Sequence, residues 1–203
     1  MIHKEQKKEA FHKPPFFISY LITDPDIFGN TPEQLEKSLT KTFQHYHIDI
    51  VCFRDKTSTN KEELALTCLK VSRSFGINTI LINSDLKLCK NYKFDGVHLN
   101  SQQFDILAQI QNTDIYKIIS CHNEDEIKLA QKYGADAVTY SPIFFKENKG
   151  EPKGIENLTK IVKRYQNDSF FIIALGGIID ENNINKVQET SVKGFASIRY
   201  FKV

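Results

Sequence analysis

The amino-acid sequence predicts a single α/β domain, a (β/α)8 TIM barrel whose eighth helix is missing or truncated. Short β-branched or aromatic runs alternate with segments of helical spacing along 203 residues, which is typical of stacked βαβ units. No G-x-G-x-x-G follows the first run, and a Gly176-Gly177 pair directly follows the seventh. Barrel phosphate sites commonly use the loops after strands seven and eight, so we favour a closed barrel over an open doubly wound sheet.

Eight strands are expected within a barrel domain over residues 16–203, which follows a polar tail over residues 1–15. The predicted strands are Phe16–Thr23, Ile48–Phe53, Asn78–Ile82, Gly96–Leu99, Lys117–Ser120, Ala137–Tyr140, Phe170–Leu175 and Gly194–Ile198.

Helices are expected between these strands, because apolar residues there recur at helical spacing. The clearest sets are Leu35, Leu39, Phe43 and Tyr46, then Leu64, Cys68, Val71 and Phe75, and later Ile155, Leu158, Val162 and Tyr165. Residues 31–34, Thr-Pro-Glu-Gln, have the form of a capping box with proline at the first helical position. Asn123 with Glu126 offers a weaker second cap. Gly76 and Gly134 stand where helices should stop.

The last strand has no room for a covering helix after it. Only five residues follow Ile198, so the flank of the barrel beside strand eight is expected to be bare. Tyr200 and Phe201 would then need the N-terminal tail or a second subunit to shield them, and a homodimer is one way to provide that cover.

The composition is that of an ordinary soluble protein, with 40% apolar and 26% charged residues and a net charge of +2. So small a charge gives no reason to expect nucleic acid or a membrane surface as a partner. The four cysteines, with no C-x-x-C pair, suggest reduced thiols rather than a zinc site or a disulfide framework. Since the tail has no apolar core that could act as a secretory signal, we expect a cytoplasmic protein.

Polar residues close most of the predicted strands, at the end of the barrel where active sites lie. They are Asp24, Arg54 with Lys56, Asn83, His98, Ser120 with His122, Ser141 and Gly176-Gly177. Strand alternation puts Arg54 on the same face as Cys52, and His122 on the same face as Ser120, so these side chains can converge on the barrel mouth.

Arg54 and Lys56 have the placement of a phosphate or diphosphate clamp, the Arg as a planar fork and the Lys as a point charge. The alternative is a solvated pair balanced by Asp55. Gly176-Gly177 would let backbone N–H groups approach an anion at a helix start, although a tight turn that needs positive φ explains the same pair.

His122 is the best candidate for a general acid or base, because an imidazole titrates near neutral pH and this one directly follows a strand. Lys146 and Lys149, after strand six, could close over an anion. The same stretch also has the composition of a charged surface loop.

In their order and spacing, eight short motifs resemble the signatures of the thiamine-phosphate synthase/TenI family. They are Leu21-Ile22-Thr23-Asp24, Phe53-Arg54-Asp55-Lys56, Leu81-Ile82-Asn83, Asp95-Gly96-Val97-His98-Leu99, Ser120-Cys121-His122, Gly134-Ala135-Asp136, Ser141-Pro142-Ile143-Phe144 and Ala174-Leu175-Gly176-Gly177-Ile178. The resemblance runs from about residue 16 to residue 198 and implies a TIM barrel with a small phosphorylated thiamine precursor as its ligand.

In the synthase, a thiazole phosphate attacks a pyrimidine diphosphate while Mg²⁺ steadies the departing diphosphate. The resemblance implies that five residues match the positions that hold the diphosphate. They are Arg54, Lys56, Asn83, Ser120 and Lys149. It also implies that Gly176-Gly177 matches the site for the thiazole phosphate.

The sequence departs from the synthase pattern at the positions of the metal ligands. Ser84 and Gln103 stand where the synthase has acidic residues, and neither supplies the carboxylate oxygen that Mg²⁺ prefers. Asp85 is one position late. Cys52 replaces a glutamine, and Arg199 stands where a small phosphate-binding serine is usual.

The primary interpretation is a TenI-like protein that binds thiazole phosphate at Gly176-Gly177, helped by Arg199. His122 would move a proton in a tautomerisation that requires no cofactor. Two alternatives stay open. One is a thiamine-phosphate synthase that holds Mg²⁺ through Asp24 or Asp85, and the other is a non-catalytic barrel that binds a phosphorylated ligand.

Overall fold

The computed structural model describes residues 17–145 and 150–203, so the predicted tail over residues 1–15 lies outside the described residues. Within them eight parallel strands form one closed barrel in the order of the sequence, and the last strand pairs with the first. The strands are β1 (Ile18–Ile22), β2 (Ile50–Phe53), β3 (Thr79–Asn83), β4 (Gly96–Leu99), β5 (Tyr116–Cys121), β6 (Ala137–Tyr140), β7 (Phe171–Leu175) and β8 (Gly194–Ser197). The predicted barrel is confirmed.

Helices follow the strands around the outside of the barrel. They are α1 (Pro25–Phe28), α2 (Pro32–His45), α3 (Lys61–Ser74), α4 (Leu86–Tyr92), α5 (Phe104–Gln109), α6 (Glu124–Lys132), α7 (Gly154–Tyr165) and α8 (Glu181–Gln188). Both predicted N-caps form: Thr31 Oγ1 accepts from Gln34 N, and Asn123 Oδ1 accepts from Glu126 N.

Two apolar layers hold the barrel together. One fills the interior with side chains such as Tyr20, Cys52 and Leu81, and the other lies between the sheet and the helices. Both faces of the strands are therefore buried, which explains why they read as nearly continuous apolar runs. The same alternation carries the interior face upward to Asn83 and Ser120 at the barrel mouth.

Within the described residues no helix follows β8, as predicted, but the flank beside β8 is not bare. A C-terminal turn packs there, and the Phe201 side chain is fully buried against Tyr46 and Phe195. Thr42 Oγ1 on α2 donates a hydrogen bond to the Phe201 carbonyl (3.0 Å). The expectation that Phe201 needs a tail or a partner subunit is therefore wrong, because the chain's own α2 covers it.

Among the helices of the described residues, none has the length and apolar character needed to cross a bilayer.

Candidate functional site

The ends of β1 and β2 place an ion pair at the barrel mouth. Arg54 Nη1 lies 2.6 Å from Asp24 Oδ2, and each side chain is about one-quarter exposed. Thr23 ties the two strand ends together, since its Oγ1 accepts from Arg54 N and donates to the Arg54 carbonyl. The Arg54 guanidinium is thus held in one orientation, with part of its charge offset by Asp24.

Asp55 does not balance Arg54, contrary to the solvated-pair alternative. Its buried carboxylate accepts hydrogen bonds from Thr57 N and Ser58 N, each at 2.9 Å. Burial by itself raises the pKa of Asp55, but these hydrogen bonds outweigh it and hold the pKa below its usual value. Lys56 beside it is exposed and forms no ion pair within the described residues.

Amides and hydroxyls, rather than carboxylates, line the ends of β3 and β4. Gln103 Nε2 lies 3.5 Å from the Ser84 carbonyl, and Asn100 Nδ2 lies 3.4 Å from Ser84 Oγ. Gln103 Oε1 accepts in turn from Asn100 N (3.1 Å). Ser84 and Gln103 stand at the two positions where the resemblance anticipates metal-binding acids. They are therefore neighbours, and they form a hydrogen bond with each other.

The two weak metal candidates already have other roles. Asp24 pairs with Arg54 through Oδ2, while its Oδ1 accepts from Asp26 N (3.3 Å) at the start of α1. Asp85 caps α4 by accepting from Leu88 N (2.9 Å), and its second oxygen lies 3.3 Å from Lys61 Nζ. Across residues 17–145 and 150–203, no cluster of three or more His, Cys, Asp or Glu side chains could hold a metal ion.

A buried polar cluster lies beneath the mouth, around His98. The His98 ring is 3% exposed, with Nδ1 2.8 Å from Tyr20 Oη and Nε2 3.1 Å from Ser120 Oγ. Thr139 Oγ1 lies 3.2 Å from Ser120 Oγ and 3.3 Å from His98 Nε2. Asn83 joins the group, because its Nδ2 donates to the His98 carbonyl (2.9 Å). Two predicted ligand-binding residues, Asn83 and Ser120, are thus anchored on one histidine.

His122 is exposed at the end of β5 and connects it to the end of β6. Its Nδ1 lies 3.1 Å from the Ser141 carbonyl and 3.3 Å from Ser141 Oγ. A carbonyl oxygen only accepts, so Nδ1 carries a proton, and Nε2 is the unprotonated nitrogen of the neutral ring. The backbone N–H of His122 donates to Glu126 Oε2 (2.6 Å), which fixes the start of α6.

The Gly176-Gly177 pair forms a tight turn after β7, with φ of +99° and +72°. A Cβ on Gly176 would lie 2.8 Å from Pro142 Cα, and one on Gly177 would lie 2.7 Å from Phe144 Cβ. The loop after β6 packs against this turn, and Phe144 N donates to the Gly176 carbonyl (3.0 Å). Glycine is therefore required here both by the positive φ and by the close packing.

Arg199, which is predicted to bind phosphate, takes no part in these contacts. Arg199 is exposed beyond β8 and forms no ion pair within residues 17–145 and 150–203. Ser197 connects the end of β8 to the glycine turn, because its Oγ donates to the Ile178 carbonyl (2.7 Å). Lys149, and Lys146 with it, lie outside the described residues.

From the sequence, His98 is one of the polar strand ends, and no role is predicted for it. The partners of the His98 ring are on β1, β5 and β6, and Tyr20 lies 78 positions away. One signal was available: Tyr20 occupies an inward position of β1, and a buried phenol needs a hydrogen-bond partner inside the barrel.

Known proteins resemble this chain along most of its length. A profile of the family described as thiamine monophosphate synthase matches residues 19–201. A putative thiamine-phosphate synthase 2 from Aquifex aeolicus is 30% identical over 189 residues, which cover 90% of this chain and 96% of that protein. A thiamine-phosphate synthase from Clostridium tetani is 29% identical over 185 residues, 88% of this chain and 85% of that protein.

A solved structure shares the fold. A thiamine phosphate pyrophosphorylase from Pyrococcus furiosus superposes with a TM-score of 0.75 at 22% sequence identity, over 92% of this chain and 91% of that one. At this identity the superposition supports the barrel architecture alone.

Proposed function

The chain belongs to the thiamine monophosphate synthase family, and on that premise we propose that it is a TenI-like member. It binds thiazole phosphate without a metal ion and moves a proton on that ligand in a tautomerisation. The observation that carries the proposal is the hydrogen-bonded pair of Ser84 and Gln103. These residues occupy the positions at which the resemblance to the synthase anticipates acids.

A Mg²⁺ ion does not fit the donors that the described residues place at this mouth. Mg²⁺ prefers carboxylate oxygens in near-octahedral geometry, and Ser84 and Gln103 offer only a hydroxyl and an amide. Asp24 and Asp85 keep their carboxylates engaged with Arg54 and Lys61. Binding a metal there would break an ion pair and a helix cap at each aspartate, so we derive no step that uses a metal.

His122 is the residue proposed to move the proton. The Ser141 carbonyl holds Nδ1–H, so the neutral ring presents an unprotonated Nε2, for which no bond forms within the described residues. That nitrogen accepts a proton from one atom of the ligand, and the imidazolium then returns a proton to another atom. The ring ends the reaction as it began, so no oxidant, reductant or metal is needed.

The ligand's phosphate is proposed to lie at the Gly176-Gly177 turn. Glycine N–H groups at a turn before a helix attract an anion, and the exposed Arg199 guanidinium adds positive charge on the same side of the barrel. The bond from Ser197 Oγ to the Ile178 carbonyl keeps the end of β8 beside that turn.

The test compares the rate of thiazole phosphate tautomerisation in the wild type and His122→Ala. Loss of a positioned acid or base lowers kcat by about 100-fold or more, while affinity for the ligand changes little. His45→Ala is the matched control, because His45 is exposed on α2 and should leave the rate unchanged. An unaltered rate in His122→Ala would contradict the catalytic role.

A second candidate is the synthase reaction, and Arg54, Asn83 and Ser120 favour it. The resemblance assigns these residues to the diphosphate, and all three lie at the mouth with their polar groups held by neighbours. Thiamine phosphate formed from the two substrates only when Mg²⁺ is present would establish this candidate. Binding of thiazole phosphate with no turnover would instead indicate the non-catalytic barrel.

A further inference from the structure

The directions of the hydrogen bonds around His98 can be inferred, because each buried hydroxyl group there must donate its proton to an acceptor. Tyr20 Oη is fully buried, and its proton needs an acceptor. Among the described residues, the polar groups recorded next to that oxygen are His98 Nδ1 at 2.8 Å and the Cys52 thiol. Sulfur is a weak acceptor, so the phenol donates to Nδ1. The neutral His98 ring therefore carries its proton on Nε2.

That tautomer determines the direction of the bonds at Ser120. His98 Nε2–H donates to Ser120 Oγ, 3.1 Å away. The buried Thr139 hydroxyl also needs an acceptor, and with Nε2 protonated the remaining hydrogen-bond partner of this hydroxyl in the described part of the chain is Ser120 Oγ at 3.2 Å. Ser120 Oγ thus accepts two hydrogen bonds from inside the barrel. Its own O–H is left to donate to another partner, and the residue is partly exposed.

His98 stays neutral under ordinary conditions. Burial, and to a lesser extent the positive charge of Arg54, lower the pKa of His98 to about 4. The ring therefore keeps one tautomer near neutral pH and does not itself exchange protons with a ligand.

We propose that His98 is a positioning residue that orients Ser120 and Asn83 toward an anionic ligand at the barrel mouth. Its Nε2–H holds Ser120 Oγ from below, and its carbonyl holds one hydrogen of the Asn83 amide. The second amide hydrogen of Asn83 and the hydroxyl hydrogen of Ser120 then face the mouth as two donors beside Arg54. The inference rests on the proposed function in one respect, that the ligand carries phosphate.

The tautomer is measured directly by long-range ¹H–¹⁵N NMR on uniformly labelled protein without ligand. The expected spectrum of His98 has a protonated Nε2 and an unprotonated Nδ1, unchanged from pH 6 to pH 8. A proton on Nδ1, or averaged shifts for the two nitrogens, would overturn the proposal. This readout is independent of whether the protein turns over thiazole phosphate.

The effect on binding is measured with inorganic diphosphate as the probe, by calorimetry in buffer with EDTA. His98→Gln and His98→Asn form a matched pair, since both keep an amide but only glutamine reaches the position of Nε2. We expect His98→Gln to bind within about threefold of the wild type and His98→Asn to lose about tenfold, as Ser120→Ala does. In the double variant of His98→Asn with Ser120→Ala, affinity should fall no further.

Three results would overturn the role in binding: wild-type affinity in His98→Asn, additive losses in the double variant, or no binding of diphosphate to the wild type. Thermal unfolding of each variant shows whether it is folded. If His98→Asn does not fold, Thr139→Val tests the same point, because it removes one of the two donors that hold Ser120 Oγ. Failure of the proposed tautomerase activity would leave all of these readouts intact.

Discussion

The two halves of the barrel mouth are held in different ways. From β1 to β5, side chains fix one another: Asp24 orients Arg54, and His98 anchors Asn83 and Ser120. From β6 to β8, the mouth is held mainly by backbone contacts, because the loop after β6 packs closely against the glycine turn at 176–177. The first half can therefore be altered one polar group at a time, whereas the glycine turn of the second half has no space for an added Cβ.

Gly177→Ala should have the largest effect on stability, because it adds an atom to the glycine turn, where the part of the mouth from β6 to β8 is most closely packed. The new Cβ would lie 2.7 Å from Phe144 Cβ at a φ of +72°, so both strain and overpacking apply. We expect a loss of about 3 kcal/mol in the free energy of unfolding, measured with urea.

Gly76→Ala is the control for this comparison. Its φ is +77°, but nothing lies within 4 Å of the added Cβ. It should therefore lose only about 1 kcal/mol, the contribution of backbone strain alone. Equal losses in the two variants would show that the loop after β6 does not press on the glycine turn.

The part of the mouth from β1 to β5 is tested by the pH dependence of the free energy of unfolding. The pKa of His98 is about 4 in the folded chain against an ordinary value of 6.5, so between these values the unfolded chain binds more protons. Stability is then complete above pH 6.5 and falls as the pH drops toward 4, by roughly 3 kcal/mol from this group.

Urea unfolding at pH 7 and pH 4 of the wild type and His98→Gln isolates that contribution. Other titrating groups, the neighbouring Tyr20, Cys52 and Arg54 included, are common to both proteins. The wild type should lose about 3 kcal/mol more than the variant. If the free energy of unfolding fell equally with pH in the wild type and in His98→Gln, His98 would not be held neutral by its surroundings.

Asp24→Asn should have the smallest effect and acts on charge rather than packing. The amide retains the cap on α1 but leaves the Arg54 guanidinium without its counterion. Affinity for inorganic diphosphate should rise a few-fold at low salt, a change of about 1 kcal/mol or less.

Asp26→Asn provides the matched control, because it removes the same charge from an exposed neighbour. An equal rise in both variants would show that net charge, rather than the ion pair with Arg54, limits the affinity.

The strands were largely predictable because parallel strands buried on both faces leave a plain sequence pattern. The predicted bounds of β4 and β6, Gly96–Leu99 and Ala137–Tyr140, agree with the structure. Strand parity also placed Arg54, Asn83 and Ser120 at the mouth, because alternation along a strand is a local property.

Partners that are distant along the chain were not predictable in this way. Arg54 pairs with Asp24 rather than with its neighbour Asp55, because backbone N–H groups of the next turn take the Asp55 carboxylate. Phe201 is covered through a hydrogen bond from Thr42, 159 positions earlier. Such pairings depend on how the barrel closes, which periodicity alone does not reveal.

The most direct test of the proposed function is calorimetric titration of the wild-type protein with thiazole phosphate, once with EDTA and once with Mg²⁺. Binding with the same affinity in both buffers is the result expected of a TenI-like site that Ser84 and Gln103 leave without metal ligands. Binding that requires Mg²⁺, or no binding in either buffer, would contradict the proposed function.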